Sequence, residues 1–168
     1  MRITDLLKPQ SILLGGQAAD KAGAIDTLIG LQAAGGHLAD KDAYKEAILA
    51  REAQSSTAIE AGIAVPHAKS DAVSNPGLAA MTLTQGVDYG AMDKQPSDLF
   101  FMIAAPLDGN LHLEILSRLM VLLMDPEFTS GLRAAKTAEE FLAVIDKAEA
   151  AKYGETGVPG VESVDTAE

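Results

Sequence analysis

Three histidines and one arginine are the residues of this 168-residue chain whose types and settings invite chemistry. His67 follows the apolar run Ile63-Ala-Val-Pro66 and precedes Ala68-Lys-Ser-Asp71. Pro66 fixes its own φ and biases Val65 toward an extended backbone. The chain therefore delivers His67 at the end of a buried strand, where an imidazole can be held rigidly and still face solvent. A neutral imidazole has one lone-pair nitrogen and can attack phosphorus or carbon. The same setting also suits a histidine that only forms hydrogen bonds at a strand end. His112 stands at the mouth of a predicted helix, just after Pro106-Leu-Asp-Gly-Asn110. First-turn N–H groups lack helical partners and the dipole there favours anions, so His112 is placed either to help bind an oxyanion or to pack sideways. Arg51 ends a predicted helix before Glu52-Ala-Gln-Ser-Ser-Thr57. Its guanidinium suits a two-point clamp on phosphate oxygens, and equally a cation satisfying the helix C-terminus. His37, in Gly35-Gly-His-Leu38, is expected to be an exposed loop residue.

Other chemistries lack their residues. No cysteine is present, which removes disulfides, thiolate zinc sites and cysteine nucleophiles, and fits a reducing compartment. No phosphate-binding Gly-rich loop, dinucleotide fingerprint, His-Glu-x-x-His or Gly-x-Ser-x-Gly occurs. His67 and His112 could share a metal, but no third ligand is placed by any spacing, and catalytic zinc usually takes three. The expectation is no metal and no cofactor.

The elements that must position these residues follow from periodicity and breakers. A helix is predicted over 18–34, stopped by Gly35-Gly36. A second, capped by Asp40, runs to about Arg51. Residues 62–66 form a brief strand and 78–84 another, with 87–89 as a turn or hairpin arm. The continuous apolar run 98–105, closed by Pro106, reads as a central strand buried on both faces. A helix over 111–124 carries Ile115, Leu116, Leu119, Leu122 and Leu123 as a wide apolar stripe. Asp125-Pro126 breaks it, a short helix follows near 127–134, and Thr137-Ala-Glu-Glu140 fits a capping box for a last helix. Helices flank strands, so the fold class is α/β, layered, a mixed sheet in one compact domain. The domain is expected over residues 1–151. Residues 152–168, with three Gly, one Pro and four acids, read as a flexible tail or the start of a linker.

Composition narrows the partners. A net charge of −11 argues against nucleic acid and anionic membranes. Four Phe, three Tyr and no Trp leave little for base stacking. The longest apolar stretch, 119–124, is far short of the roughly 20 residues a spanning helix needs, and no apolar leader follows Met-Arg-Ile-Thr-Asp. The domain is therefore expected in the cytoplasm, with no direct membrane insertion.

Taken together, Arg51-Glu52, Ser56-Thr57 and Gly62-Ile-Ala-Val-Pro-His67-Ala-Lys69 resemble the active-site block of the fructose/mannitol-type enzyme IIA domain. That domain belongs to the bacterial phosphoenolpyruvate-dependent sugar phosphotransferase system. The run 98–106 followed by His112-Leu-Glu-Ile-Leu-Ser-Arg-Leu119 resembles its second block, although the loop Leu107-Asp-Gly-Asn-Leu111 is shorter than in many relatives. Ala68-Lys-Ser-Asp-Ala-Val73 and Gly86-Val-Asp-Tyr89 lean toward the fructose branch. The resemblance implies a phosphoryl relay. A phosphohistidine on HPr, or on an HPr-like domain, would charge His67, which would pass the group to a cysteine of enzyme IIB, in the same polypeptide or a separate one. His112 would contact the phosphoryl group and Arg51 would clamp it. Linked IIB and IIC domains would tether the protein to the membrane. Two other readings use the same residues: a nitrogen-regulatory enzyme IIA acting by phosphorylation-dependent protein binding, and a small-anion binding module with no covalent step.

Overall fold

The apolar run closed by Pro106 forms the middle of the sheet. In the computed structural model, which describes residues 2–154 except for the side chains of Leu111 and His112, this strand spans Ser97–Ala105. Side chains alternate along a strand, so Leu99, Phe101 and Ile103 face one layer and Phe100, Met102 and Ala104 the other. All six are buried, which is why the run is apolar throughout and does not alternate.

Numbered in chain order, the strands are β1 (Leu7–Gly16), β2 (Ile63–Ala64), β3 (His67–Lys69), β4 (Gly77–Val87) and β5 (Ser97–Ala105). The order is β1-β4-β5-β2, with β3 continuing beside β5. β4 runs antiparallel to β5, whereas β1 is parallel to β4 and both β2 and β3 are parallel to β5. Val65 and Pro66 separate β2 from β3. Proline has no N–H for the ladder, yet its carbonyl still accepts from Ile103 N at 2.9 Å, so the edge stays docked while the strand breaks.

One face carries α1 (Lys21–Ala34) and α2 (Lys41–Gln54), packed through Ile25, Leu28, Tyr44 and Ile48. The other carries α3 (Leu111–Leu123), α4 (Pro126–Ala134) and α5 (Ala138–Tyr153), packed through Ile115, Leu119, Leu132, Phe141 and Ile145. Phe101 stacks on Phe141 at 5.8 Å between centroids, and Tyr89 meets Phe100 edge-on at 5.5 Å. Each such ring contributes roughly 1.5–3 kcal/mol by burial. A mixed sheet between two helical layers is the α/β architecture expected.

Caps set the helix starts. The Asp20 carboxylate accepts from Gly23 N at 2.9 Å, so α1 begins at Lys21 and not at Ala18. Asp40 caps α2 as expected, accepting from Ala43 N at 3.1 Å. Thr137 caps α5 by accepting from Glu140 N, but the Glu140 carboxylate reaches one residue further back, to Lys136 N at 2.7 Å. α5 continues through Lys152 and Tyr153, two residues into the stretch expected as tail. Residues 155–168 lie outside the described residues.

Three local expectations differ. β1 lies where the sequence pattern predicts no strand: Lys8, Pro9 and Gln10 are exposed on an edge strand, where proline is tolerated and the pattern loses its alternation. Of the separate arm expected at 87–89, only Val87 is strand, as the last residue of β4, reached through an irregular register after Thr82, while Asp88 and Tyr89 lie beyond it. His37 is buried, only 2% exposed. Its Nδ1 sits 2.7 Å from Gln32 Oε1, and Gln32 Nε2 donates to the carbonyls of Met102 and Gly77. The loop histidine folds under α1 because a glycine at 77 leaves room. A Cβ there would lie 2.2 Å from the His37 ring.

A buried ion pair ties the second layer to the N-terminus. Arg118 of α3 donates to Glu149 of α5 at 2.7 Å, and Glu149 accepts from Ile3 N at 2.8 Å. Among the described residues no helix is long and apolar enough to cross a membrane.

Candidate functional site

His67 is the first residue of β3, held by pairing with Ile103 of the central strand. Its ring is half-buried. Nδ1 lies 2.9 Å from the carbonyl oxygen of Val65. A carbonyl can only accept, so Nδ1 carries the proton and Nε2 carries the lone pair. The ring nitrogen with a free lone pair, open from sequence, is therefore Nε2.

His67 and Arg51 line one cavity of about 190 Å³, with Ser56, Thr57, Leu116 and Met120 among its other walls. Arg51 comes from the last turn of α2, where its Nη1 donates to the Ser55 carbonyl at 2.9 Å. It thus satisfies its own helix end and also borders the His67 cavity. His112 stands in the first turn of α3, the helix that also brings Leu116 and Met120 to the cavity. The His112 side chain lies outside the described residues.

Thr57, one wall of the cavity, is tied to a polar network that sequence reasoning did not find. Glu52 is buried beside Arg51. Its Oε1 accepts from Thr57 N at 3.2 Å and pairs with Lys21 Nζ at 2.9 Å. Its Oε2 accepts from Thr57 Oγ1 and from Tyr89 OH at 3.1 Å. Lys21 also sits 4.5 Å over the Tyr89 ring. Burial first, and the Glu52 charge second, push the Tyr89 phenol far above its usual range, so it stays a neutral donor. Ser56 Oγ donates to the Tyr89 carbonyl and accepts from Ala58 N. The pair Arg51-Glu52 was visible in the sequence and Tyr89 only as part of the Gly86-Val-Asp-Tyr89 resemblance; that Tyr89 and Lys21 meet Glu52 had no signal.

A half-exposed apolar stripe runs along α3 beside the cavity. Leu113, Leu116, Met120 and Met124 recur at spacings of three and four residues, with Leu113 54% and Met124 81% exposed. Ile59 and Met120 also wall a neighbouring cleft of about 290 Å³ that ends on Met124. A larger cleft of about 580 Å³ lies near the other end of β5, by Thr82 and Asp98, and none of the candidate residues lines it. There Arg133 is engaged by Asp98 at 2.9 Å and by the Ala61 carbonyl at 2.7 Å.

A histidine with one committed nitrogen and one free, walled by an arginine and rimmed by apolar side chains, is an arrangement chemically able to accept a phosphoryl or acyl group. The family model for the phosphoenolpyruvate-dependent sugar phosphotransferase system, EIIA 2, matches residues 5–148. The chain belongs to this family. It is 45% identical over 148 residues to the fructose-specific EIIABC component of Bacillus subtilis, covering 88% of this chain and 23% of that protein. It is 38% identical over 152 residues to the fructose-specific EIIA component of Haloferax volcanii, covering 86% of this chain and 99% of that one. The chain thus spans about a quarter of the first relative and nearly all of the second. Among solved structures, the complex of enzyme IIA and phosphorylated enzyme IIB of the Escherichia coli mannitol system matches with a TM-score of 0.72 and 27% identity, over 83% of this chain and 98% of that one.

Proposed function

We propose that the chain is a phosphocarrier for fructose-type sugar uptake that takes a phosphoryl group onto His67 Nε2 and hands it to enzyme IIB. The observation that carries the proposal is the Nδ1–H···O=C bond from His67 to Val65, which leaves Nε2 as the lone-pair nitrogen beside Arg51. In the forward step the Nε2 lone pair attacks phosphorus. The P–N bond to the donor imidazole, on HPr or an HPr-like domain, breaks as the P–Nε2 bond forms. Positive charge develops on the His67 ring, and the Val65 carbonyl dipole stabilises it through Nδ1–H. Arg51 meets the equatorial oxygens, and His112 joins it from the first turn of α3. Such a transfer needs positioning and charge stabilisation more than further covalent chemistry, and this reading gives metal no part in it.

In the onward step a cysteine thiolate of enzyme IIB attacks the same phosphorus and the electron pair of the P–N bond returns to Nε2. This chain has no cysteine, so the acceptor is another domain or chain. The apolar stripe Leu113, Leu116, Met120 and Met124 suits docking of both protein partners around His67. The fructose assignment is supported by the names of the two relatives above. The place of action is the cytoplasm, and IIB and IIC domains, where they are linked to this one, would tether it to the membrane.

The test is phosphorylation with phosphoenolpyruvate, enzyme I and HPr, followed by mass mapping. The expected result is one phosphate, on His67, lost on mixing with a fructose-type IIB. Label on His37 or His112 instead would overturn the assignment.

A further inference from the structure

Glu52 is buried, charged and takes no part in the transfer just described. A carboxylate in that position is not explained by stability, since desolvating an ion pair typically consumes what the pairing returns. Its geometry explains it. We propose that Glu52 is a positioning residue that sets the His67 tautomer and the direction of Arg51 together; this rests on the reading of His67 as the phosphoryl acceptor.

The linkage runs through four bonds. Both Glu52 oxygens hold Thr57, one through the backbone N–H and one through the hydroxyl. The Thr57 carbonyl accepts from Val65 N at 3.0 Å. The Val65 carbonyl accepts from His67 Nδ1 at 2.9 Å. The segment between is closed by Ile59 N donating to the Ile63 carbonyl at 2.7 Å. Thr57 is thus clamped at two points, and the carbonyl that selects the His67 tautomer is clamped through it. The four donors on Glu52, from Thr57, Lys21 and Tyr89, fill the acceptor positions of a carboxylate. The side chain has one orientation that satisfies all of them.

Arg51 follows from the same anchor. Consecutive residues on a helix point about 100° apart. Fixing Glu52 inward against Thr57 and Tyr89 fixes the phase of the last turn of α2, and Arg51 then borders the His67 cavity. One buried carboxylate therefore orients both groups that the transfer needs.

Glu52→Gln tests this. The amide keeps the shape and one acceptor oxygen, but it leaves Lys21 without its counter-charge and Thr57 with a weaker clamp. Two readouts are needed: the His67 ring tautomer, from ring-nitrogen NMR shifts of the unphosphorylated protein, and the rate of transfer from precharged HPr. The expected result is a folded protein with a mixed His67 tautomer. Its transfer rate at saturating HPr should be about 10- to 100-fold lower, as for small misplacements of reacting groups, with an unchanged half-saturating HPr concentration. Thr57→Val, which removes only the hydroxyl bond, should show the same tautomer mixing to a smaller degree and serves if Glu52→Gln does not fold. A pure Nδ1–H tautomer and unmodified rate in the folded variant would overturn the proposal. So would a slower rate and lower melting temperature with the tautomer unchanged, which is what a merely structural carboxylate gives. The tautomer is read with no phosphoryl donor present, so it decides the linkage separately. Failure of the unmodified protein to label His67 would refute the phosphoacceptor reading instead.

Discussion

His67 donates through Nδ1 to the carbonyl of Val65, two residues before it in the chain, at 2.9 Å. The bond is local and spans Pro66, where the edge strand is interrupted between β2 and β3. It assigns the lone pair to Nε2, and the first prediction follows directly. The phosphoprotein should carry its phosphoryl group on Nε2, read from ring-nitrogen NMR shifts. His67→Ala should accept none while melting within a few degrees of the unmodified protein, since the ring is half-buried at a strand end. Phosphorylation at Nδ1 would contradict the tautomer.

Arg51→Ala should slow transfer to His67 without removing the acceptor. A single donor to a transferring oxygen is commonly worth about 10²–10³ in rate. Arg51→Lys should be impaired as well, because an ammonium cannot make the planar two-point contact. Rapid-quench rates with precharged HPr measure both.

Transfer should be independent of divalent metal. In the proposed transfer the donor is already a phosphohistidine, and Arg51 and His112 are the groups proposed to meet the charge on the phosphoryl oxygens. Chelator added after HPr has been charged should leave the rate onto His67 unchanged. Strict dependence on added magnesium would refute this.

The buried His37 should make stability fall on mild acidification. Burial first, and the neighbouring Lys8 charge second, lower its pKa below the ordinary 6.5. An unfolded imidazole takes its proton near pH 6.5, whereas the folded one takes it only at lower pH. In that window the unfolded state binds more protons, so stability rises with pH. The contribution is fully present above about 6.5 and is lost as pH falls toward the folded pKa. Urea titrations of unmodified protein and His37→Asn between neutral and mildly acidic pH should show the steeper loss in the unmodified protein. Asn can still donate to Gln32 Oε1 but does not titrate.

Ending the chain after Ala151 should destabilise it relative to ending after Gly154. The shorter chain lacks Lys152 and Tyr153, the last residues of α5, and the Tyr153 ring lies 5.9 Å from the Arg118 guanidinium. A contact of that kind contributes about 0.5–1 kcal/mol, and each kcal/mol moves the melting temperature of a chain this long by about 2–4 °C. Equal melting temperatures would show that the last turn contributes nothing.

Residues close in sequence determined much of this protein by themselves. The Val65-Pro66-His67 junction, the Asp40 and Thr137 caps, the Asp125-Pro126 break and the apolar run ending at Pro106 are each decided within a few residues by fixed φ, side-chain-to-backbone bonds or burial on both faces. They were legible without coordinates, and so was the Arg51–His67 block. What only the tertiary structure decided is how distant segments meet. β1 is a strand because β4 offers its edge, not because Lys8-Pro9-Gln10 favours one. His37 is buried because Gly77 and Gln32 leave it a slot with a partner. Glu52 acquires Lys21 from α1 and Tyr89 from beyond β4 only once α2 lies across the sheet. Those contacts depend on loop closure between remote positions, for which a single sequence carries no local signal, and those made by Glu52 belong to the network that ties it to Thr57, a wall of the site.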